Sequence, residues 1–154
     1  MSLVLQNNIF KVSITDYDPD GNLTSDKNKN ITSILYNHLN MPTKITVTGS
    51  NAGTLDYVYT ADGIKLQKTK TVGGVPTTTD YAGNYVYENN QLQFFNTSEG
   101  YVEPDGSGGY NYVYSYTDHL GNVRLNYSDF DGNGTISQSE ILKERNFYPF
   151  GLEH

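Results

Sequence analysis

Residues 110–140, YNYVYSYTDHLGNVRLNYSDFDGNGTISQSE, predict a β-hairpin that leads into a metal-binding loop. Tyrosines alternate with other residues over 110–116, so their rings share one face of a strand with a period of two. Residues 118–122, DHLGN, predict the turn, because Gly and Asn tolerate positive φ. Residues 123–127 then return as the partner strand.

The composition favours one all-β domain over residues 1–154. Hydrophobic residues make up 36% of the chain, and its 14 tyrosines carry large rings that can be buried with a satisfied hydroxyl. Tyr and Thr favour strands, while Gly and Asn suit turns. We therefore expect antiparallel β-hairpins, about ten strands in all, that form a curved sheet or partial shell. Residues 137–146 alone have a helical pattern, which predicts one short C-terminal helix.

The charge balance and the cysteine count exclude several kinds of partner and site. A net charge of −7 leaves no basic stripe for phosphates, so nucleic-acid binding is not expected. The chain has no cysteine, which excludes disulfides and thiolate chemistry. Membrane insertion is not expected, because no apolar run reaches the roughly 18 residues of a spanning helix. The first residues also lack the basic and apolar regions of a signal peptide.

A short unit recurs along the chain. In each copy a tyrosine precedes turn residues, a Gly or Asn, and an alternating strand. The copies begin at Tyr17, Tyr36, Tyr59, Tyr87, Tyr116 and Tyr148. Hairpins repeated in this way bury their apolar faces by pairing with their neighbours, so the pattern predicts a repeat architecture.

These motifs resemble the Rhs/YD-repeat family over essentially the whole chain. Residues 16–22, DYDPDGN, resemble its tyrosine–aspartate repeat. Residues 116–124, YTDHLGNVR, together with YPFG at 148–151, resemble the Rhs repeat-associated core region of Bacteroidetes-type members. The YPFG motif lies in a tail of residues 141–154.

The resemblance implies a fragment of a large bacterial protein that is secreted or exposed at the cell surface. In such polymorphic-toxin proteins the hairpins form a β-shell that encloses or presents a C-terminal effector. The implied partners are the other repeats of the parent chain and that effector. Self-cleaving members carry their aspartates downstream of the PFG string, where this chain ends at His154, so protease activity is not expected. A fragment would also expose strand edges, which predicts homo-oligomers formed through them.

Residues 129–140 match the ligand spacing of a calcium loop. Such a loop places oxygen ligands at positions 1, 3, 5, 7, 9 and 12, with a Gly at position 6. The ligand positions are filled by Asp129, Asp131, Asn133, Thr135 through its carbonyl, Ser137 and Glu140. Hard oxygens with a terminal carboxylate fit Ca²⁺ better than a softer metal. We expect a structural Ca²⁺ site between a strand and the predicted helix; the alternative is a polar turn that matches by chance.

Two other polar segments invite chemical interpretations that the residues do not favour. Asp16, Asp18 and Asp20 imitate the first half of a calcium loop, but Lys27 stands where the final Glu belongs, so a repeat turn is expected. His119 follows Asp118, yet neighbours on an extended segment point to opposite faces and form no catalytic dyad. We therefore expect no enzyme activity.

The tyrosines leave two alternatives open. Rings on one sheet face can fill a thin core, or they can form a platform that binds carbohydrate or another cell-surface ligand. We favour the core for most of them, because the apolar content is low. Three or more contiguous rings facing solvent would support the binding module instead.

Overall fold

A computed structural model describes residues 14–148 and 150–153. Residues 1–13, 149 and 154, which belong to the predicted domain and its YPFG tail, lie outside the described residues. The chain divides into two compact units, with the boundary between Thr77 and Thr78. Each unit is built from antiparallel strands joined by short connections.

The first unit contains six strands, each antiparallel to the next in sequence. They are β1 (Thr15–Tyr17), β2 (Leu23–Asp26), β3 (Ile31–Tyr36), β4 (Pro42–Val47), β5 (Gly53–Tyr59) and β6 (Lys65–Val72). Short 3-10 turns at Lys27–Lys29 and Gly49–Asn51 connect β2 to β3 and β4 to β5. Sequence order and sheet order are therefore the same, as expected for successive hairpins.

The second unit contains seven strands, each antiparallel to its neighbour in sequence. They are β7 (Val75–Ala82, which begins just before the boundary), β8 (Tyr85–Glu88), β9 (Gln91–Asn96), β10 (Gly100–Pro104), β11 (Tyr110–Thr117), β12 (Val123–Tyr127) and β13 (Ile141–Glu144). The all-β prediction is confirmed, as is the hairpin of β11 and β12. Among the described residues, no helix has the length and apolar character needed to cross a bilayer.

The predicted C-terminal helix is wrong. Within residues 137–146 the chain forms a 3-10 turn, Gln138–Glu140, and then the strand β13. The capping box of Ser137 and Glu140, which contributes to the helical pattern, closes that turn. β13 pairs with β12, and this ladder satisfies its backbone better than an isolated helix of under three turns would.

One turn geometry recurs in both units. The first turn residue donates its N–H to the carbonyl four residues on, and its own carbonyl accepts the N–H three residues on. These turns start at Asp18, Asn37, Thr60, Asp118 and Tyr148. The residue three positions on has positive φ, as at Gly21 (86°), Asn40 (57°) and Gly121 (86°). This is the three-residue hairpin loop with a left-handed last residue, which explains the Gly or Asn of each repeat.

A side-chain oxygen of the first turn residue reinforces this geometry. Asp18 Oδ1 accepts the N–H of Asp20 at 3.0 Å and of Asn22 at 2.8 Å, so the first acidic segment is a capped turn. Asp118 Oδ1 accepts the corresponding N–H groups two and four residues on, at 2.9 and 3.0 Å. Not every tyrosine of the repeat precedes this turn. Tyr87 leads instead into a two-residue turn at Asn89–Asn90.

Few apolar side chains are buried in the described residues. Ile34 is 7% exposed, and Val102 and Val113 are each 2% exposed. Every tyrosine is half-buried or exposed, so the expectation that most of them fill the core is wrong. In the described residues no α-helix packs on the strands to cover those rings.

Two half-buried tyrosines of the first unit connect neighbouring hairpins through their hydroxyl groups. Tyr36 donates its hydroxyl to the Leu23 carbonyl at 2.8 Å, and Tyr59 donates its hydroxyl to the Pro42 carbonyl at 3.0 Å. Each accepting residue comes directly after the turn of the preceding repeat. Burial raises the pKa of both tyrosines, which keeps the donor protonated.

Replacement of Tyr59 by Phe should lower the free energy of unfolding by about 1 kcal/mol, because the Pro42 carbonyl loses its donor. The measurement is urea denaturation followed by circular dichroism. Tyr17→Phe is the matched control, since the Tyr17 ring is 62% exposed and stands at the same place in its repeat. Equal effects of the two substitutions would contradict a stabilising role for the Tyr59 hydroxyl.

Candidate metal site and aromatic groove

The loop between β12 and β13 brings three predicted metal ligands together. Carboxylate oxygens of Asp129, Asp131 and Glu140 all lie within 4.8 Å of one another. Asp129 follows the last residues of β12, and Glu140 ends the 3-10 turn before β13. The pairing of these two strands therefore closes the loop and brings its two ends together.

The first half of the loop is folded by its own Asp and Asn side chains. Asp129 accepts the N–H of Asn133 at 3.1 Å and of Gly134 at 2.9 Å through its two oxygens. Asp131 Oδ1 accepts the Asn133 N–H at 3.0 Å, and Asn133 Oδ1 accepts the Thr135 N–H at 2.7 Å. Gly134 has a φ of 75°, which is the sharp turn expected at position 6. These bonds fold the first half of the loop around the carboxylates of Asp129 and Asp131.

Glu140 is the anchored ligand of the set. It is 4% exposed, and its Oε1 accepts the Phe130 N–H at 3.0 Å. Its Oε2 accepts both the N–H and the hydroxyl of Ser137 at 2.8 Å. The backbone and hydroxyl hydrogen bonds from Ser137 outweigh desolvation and lower the pKa of Glu140, so the buried carboxylate is ionised at neutral pH.

All six predicted ligand residues belong to this one hydrogen-bonded loop, in different ways. Asp131 Oδ2 accepts a hydrogen bond from the Asn133 side-chain amide at 2.7 Å. This bond places Asn133, at position 5 of the loop, beside the carboxylate of Asp131. Thr135 contacts the set through Asn133, whose Oδ1 accepts its hydroxyl at 2.6 Å. The Ser137 hydroxyl donates its proton to Glu140 at 2.8 Å, which leaves the lone pairs of its oxygen available to an ion. The loop ends in a 3-10 turn, and a strand follows it in place of the helix expected there.

The tyrosines of β11 form an exposed row. Tyr110, Tyr112, Tyr114 and Tyr116 are 53%, 60%, 39% and 62% exposed, and their period of two places them on one face. Val113, which points to the other face, is buried. The sequence pattern thus predicted the shared face correctly and the burial of that face wrongly.

Neighbouring rings extend this aromatic surface. The Tyr114 ring stacks on Tyr127 of β12 with centroids 5.7 Å apart. The Tyr110 ring meets Phe95 of β9 edge to face at 6.3 Å, and Phe95 in turn packs against Tyr85 at 5.1 Å. Such ring pairs stabilise the sheet face, while the four β11 tyrosines stay between 39% and 62% exposed to solvent.

A groove of about 430 Å³ lies between this row and the loop of residues 129–140, which is called the metal loop after the ion proposed for it. Its walls include Tyr110, Tyr112 and Tyr114 from β11, Asp105 from the β10–β11 loop, and Asp129 with Phe130 from the metal loop. Asp105 and Phe130 were not singled out from the sequence. The strand register alone would have placed them together, because the start of β11 and the end of β12 lie at the same end of an antiparallel pair.

Asp118 caps the β11–β12 turn with its side chain and forms an ion pair with Arg124. Its Oδ2 accepts Arg124 Nε at 2.8 Å, and the Arg124 guanidinium lies 5.2 Å from the Phe147 ring centroid. Burial alone would raise the pKa of Asp118, but hydrogen bonds from Asn122, Arg124 and Leu120 outweigh it and hold that pKa well below its usual range. His119 is exposed at the tip of the turn. The carboxylate is thus engaged by the turn and by Arg124.

No known protein-family model matches the chain, and a search of curated proteins finds no match.

Replacement of Asp118 by Asn should lower the melting temperature at neutral pH, because Arg124 loses its ion pair. The pKa of Asp118 is depressed in the folded state, so its stabilising contribution is present above the ordinary value of 3.8 and is lost as pH falls below that value. The difference between wild type and variant should therefore narrow between about pH 4 and pH 2.5.

The measurement is thermal unfolding of both proteins across that pH range. Arg124→Gln, which removes the other charge, should also lower the melting temperature at neutral pH. If the difference in melting temperature between wild type and Asp118→Asn stays constant down to about pH 2.5, the charge of Asp118 does not cause that difference.

Proposed function

We propose that the chain is a structural β-hairpin repeat module whose C-terminal end is stiffened by Ca²⁺. The observation that carries this proposal is the convergence of Asp129, Asp131 and Glu140, whose carboxylate oxygens lie within 4.8 Å of one another. Three carboxylates this close repel one another unless a cation or protons neutralise them. A hard divalent cation with oxygen ligands supplies that neutralisation at neutral pH.

The bound ion would fix the connection between β12 and β13. Asp129 and Asp131 sit at the start of the loop and Glu140 at its end, so one ion joins both ends of the connection. Glu140 also accepts the N–H of Phe130, so an ion bound to Glu140 would stabilise the backbone at the start of the loop. Ca²⁺ is favoured over Mg²⁺, because Ca²⁺ accepts mixed oxygen ligands in irregular geometry, whereas Mg²⁺ demands a near-ideal octahedron.

The repeats support a proposal about the kind of parent protein to which this module belongs. The same turn at Asp18, Asn37, Thr60 and Asp118 supports a chain of YD-type hairpins, and it suits a secreted or surface-exposed Rhs/YD-repeat protein. In that setting the module's partners would be further repeats of the parent chain and its C-terminal effector. Association of copies through strand edges stays a prediction, which sedimentation at high protein concentration would test.

Thermal unfolding in millimolar Ca²⁺ should give a melting temperature several degrees above that in excess EGTA, because an ion that binds the folded state stabilises it by mass action. Glu140→Gln should abolish the rise, since it removes a charge; its single carbonyl oxygen can accept from either Phe130 or Ser137, so the variant is also less stable without Ca²⁺. Glu144→Gln is the matched control, because Glu144 is exposed on β13 just beyond the loop.

Two results would contradict the calcium proposal. The first is a melting temperature that Ca²⁺ leaves unchanged in the wild-type protein. The second is a rise that Glu140→Gln retains in full, which would place the binding ion elsewhere on the chain.

A second candidate function is ligand binding at a cell surface, and the exposure of the β11 tyrosines favours it. Four rings on one strand face are between 39% and 62% exposed, which meets the condition of a contiguous solvent-facing cluster. Exposed rings of this kind can stack on the apolar face of a sugar ring. Carbohydrate is therefore the ligand class of this second candidate.

On an array of immobilised glycans, the wild-type protein should bind members that the Tyr112→Ala and Tyr116→Ala double variant no longer binds. Tyr17→Ala provides the control, because it removes an equally exposed ring outside β11. The same glycan profile for both variants would exclude the β11 row as the glycan platform.

A further inference from the structure

The groove beside the β11 tyrosines differs chemically from a neutral aromatic platform. Its lining combines the rings of Tyr110, Tyr112 and Tyr114 with the carboxyl-bearing residues Asp105 and Asp129, and it includes no Lys or Arg. The remaining lining residues, Asn111, Ser128 and Phe130, carry no charge. A groove with two acidic residues and no basic one attracts cations and repels anions.

The rings and the acids favour the same kind of ligand. The face of a tyrosine ring is the negative part of its quadrupole and attracts a cation placed over it. This chain uses that contact elsewhere, since Lys65 Nζ lies 5.1 Å from the Tyr57 ring centroid and Arg124 lies 5.2 Å from that of Phe147. In the groove, the exposed rings of Tyr112 and Tyr114 offer their surface to a cation from outside.

The Asp105 charge is held in place by its own loop. Its Oδ1 accepts the N–H groups of Ser107 at 2.7 Å and of Gly109 at 2.9 Å. The Ser107 hydrogen bonds are the largest cause of its lowered pKa, so the carboxylate stays ionised under mildly acidic conditions. The negative charge at this wall of the groove is therefore permanent at neutral pH.

We propose that this groove binds an arginine side chain carried by a basic peptide segment of a partner. A guanidinium is planar, so it can stack on Tyr112 or Tyr114 and still direct N–H donors at the carboxylate of Asp105. A volume of about 430 Å³ accommodates such a side chain with part of its backbone. The inference builds on the second candidate function, in which β11 is a binding face, but it assigns a cationic ligand and not a neutral sugar.

The negative charge of the groove favours an arginine side chain over neutral and anionic ligands. A neutral oligosaccharide can stack on the same rings and hydrogen-bond to the acids, but it gains nothing from their charge. An acidic peptide or a phosphate is repelled by Asp105 and Asp129, within a chain whose net charge is already −7. Compared with a neutral oligosaccharide and an acidic peptide, the arginine side chain uses both the rings and the charge, and its planar end group stacks on a ring.

The test is an NMR titration of the full chain with an acetylated, amidated tetra-arginine peptide, followed through the tyrosine ring signals in EGTA. EGTA makes the result independent of the calcium proposal, in which Asp129 would be engaged by the ion. The matched probe is the tetra-citrulline peptide, which keeps the planar end group and loses the charge. It should bind at least about fivefold more weakly, from the combined loss of cation–ring and ion-pair contacts.

Three variants locate the site. Asp105→Asn keeps the oxygen that the Ser107 and Gly109 N–H groups need, and Tyr112→Leu keeps apolar surface but removes the ring. Each should weaken tetra-arginine binding by about two- to fivefold. Glu88→Gln removes an exposed carboxylate of β8 outside the groove lining and should leave the affinity unchanged.

Equal affinity for the two peptides would overturn the inference, and so would an Asp105→Asn variant that binds as tightly as Glu88→Gln. A parallel titration with maltotetraose separates this inference from the second candidate function. Binding of the sugar that depends on Tyr112, without binding of tetra-arginine, would leave a glycan platform and reject the arginine site. Absence of binding by either probe would reject the arginine site as well.

Discussion

Backbone hydrogen bonding between neighbouring strands, with its register set by capped turns such as those at Asp18 and Asp118, is the interaction on which this structure depends. In the described residues Ile34, Val102 and Val113 are the buried apolar side chains, so a conventional core contributes little. Register must then come from local geometry. A side-chain oxygen at the first turn residue and a left-handed residue three positions later provide it, as at Asp18 and Asp118.

The tyrosines follow from the same constraint. A strand that is not covered by a second layer needs side chains that tolerate both apolar neighbours and water, and tyrosine does so. In the first unit the hydroxyl groups of Tyr36 and Tyr59 hold carbonyls of the preceding hairpin. On β11 the rings stay open to solvent, and there the same residue type forms the surface that we propose to bind a ligand.

The metal loop and the groove share one end of the β11–β12 pair, which links their chemistry. Asp129 belongs to both, because it lines the groove and lies beside Asp131 and Glu140. An ion in the loop would therefore change the charge that the groove presents. Calcium loading and recognition of a cationic ligand are expected to oppose each other at this residue.

The approach of Asp129, Asp131 and Glu140 was predictable, because these residues lie within one short segment whose spacing is set by local turn geometry; Ca²⁺ binding there stays a prediction. The all-β class, the β11–β12 hairpin and the capped turn at Asp118 were predictable for the same reason. The helix expected over residues 137–146 is wrong, because the capping box of Ser137 and Glu140 closes a 3-10 turn as well as it would a helix. The neighbouring strand β12 decided between them by offering a ladder to β13.

The sequence by itself determined what lies within one turn or one strand period: alternation, turn chemistry and ligand spacing. Only the tertiary structure decided which strand face is covered, because alternation reports that two faces differ and not which one meets solvent. It also decided that Asp105 and Phe130, distant in sequence, line one groove. That proximity depends on the register of β10, β11 and β12, which cross-strand hydrogen bonds fix once the chain has folded.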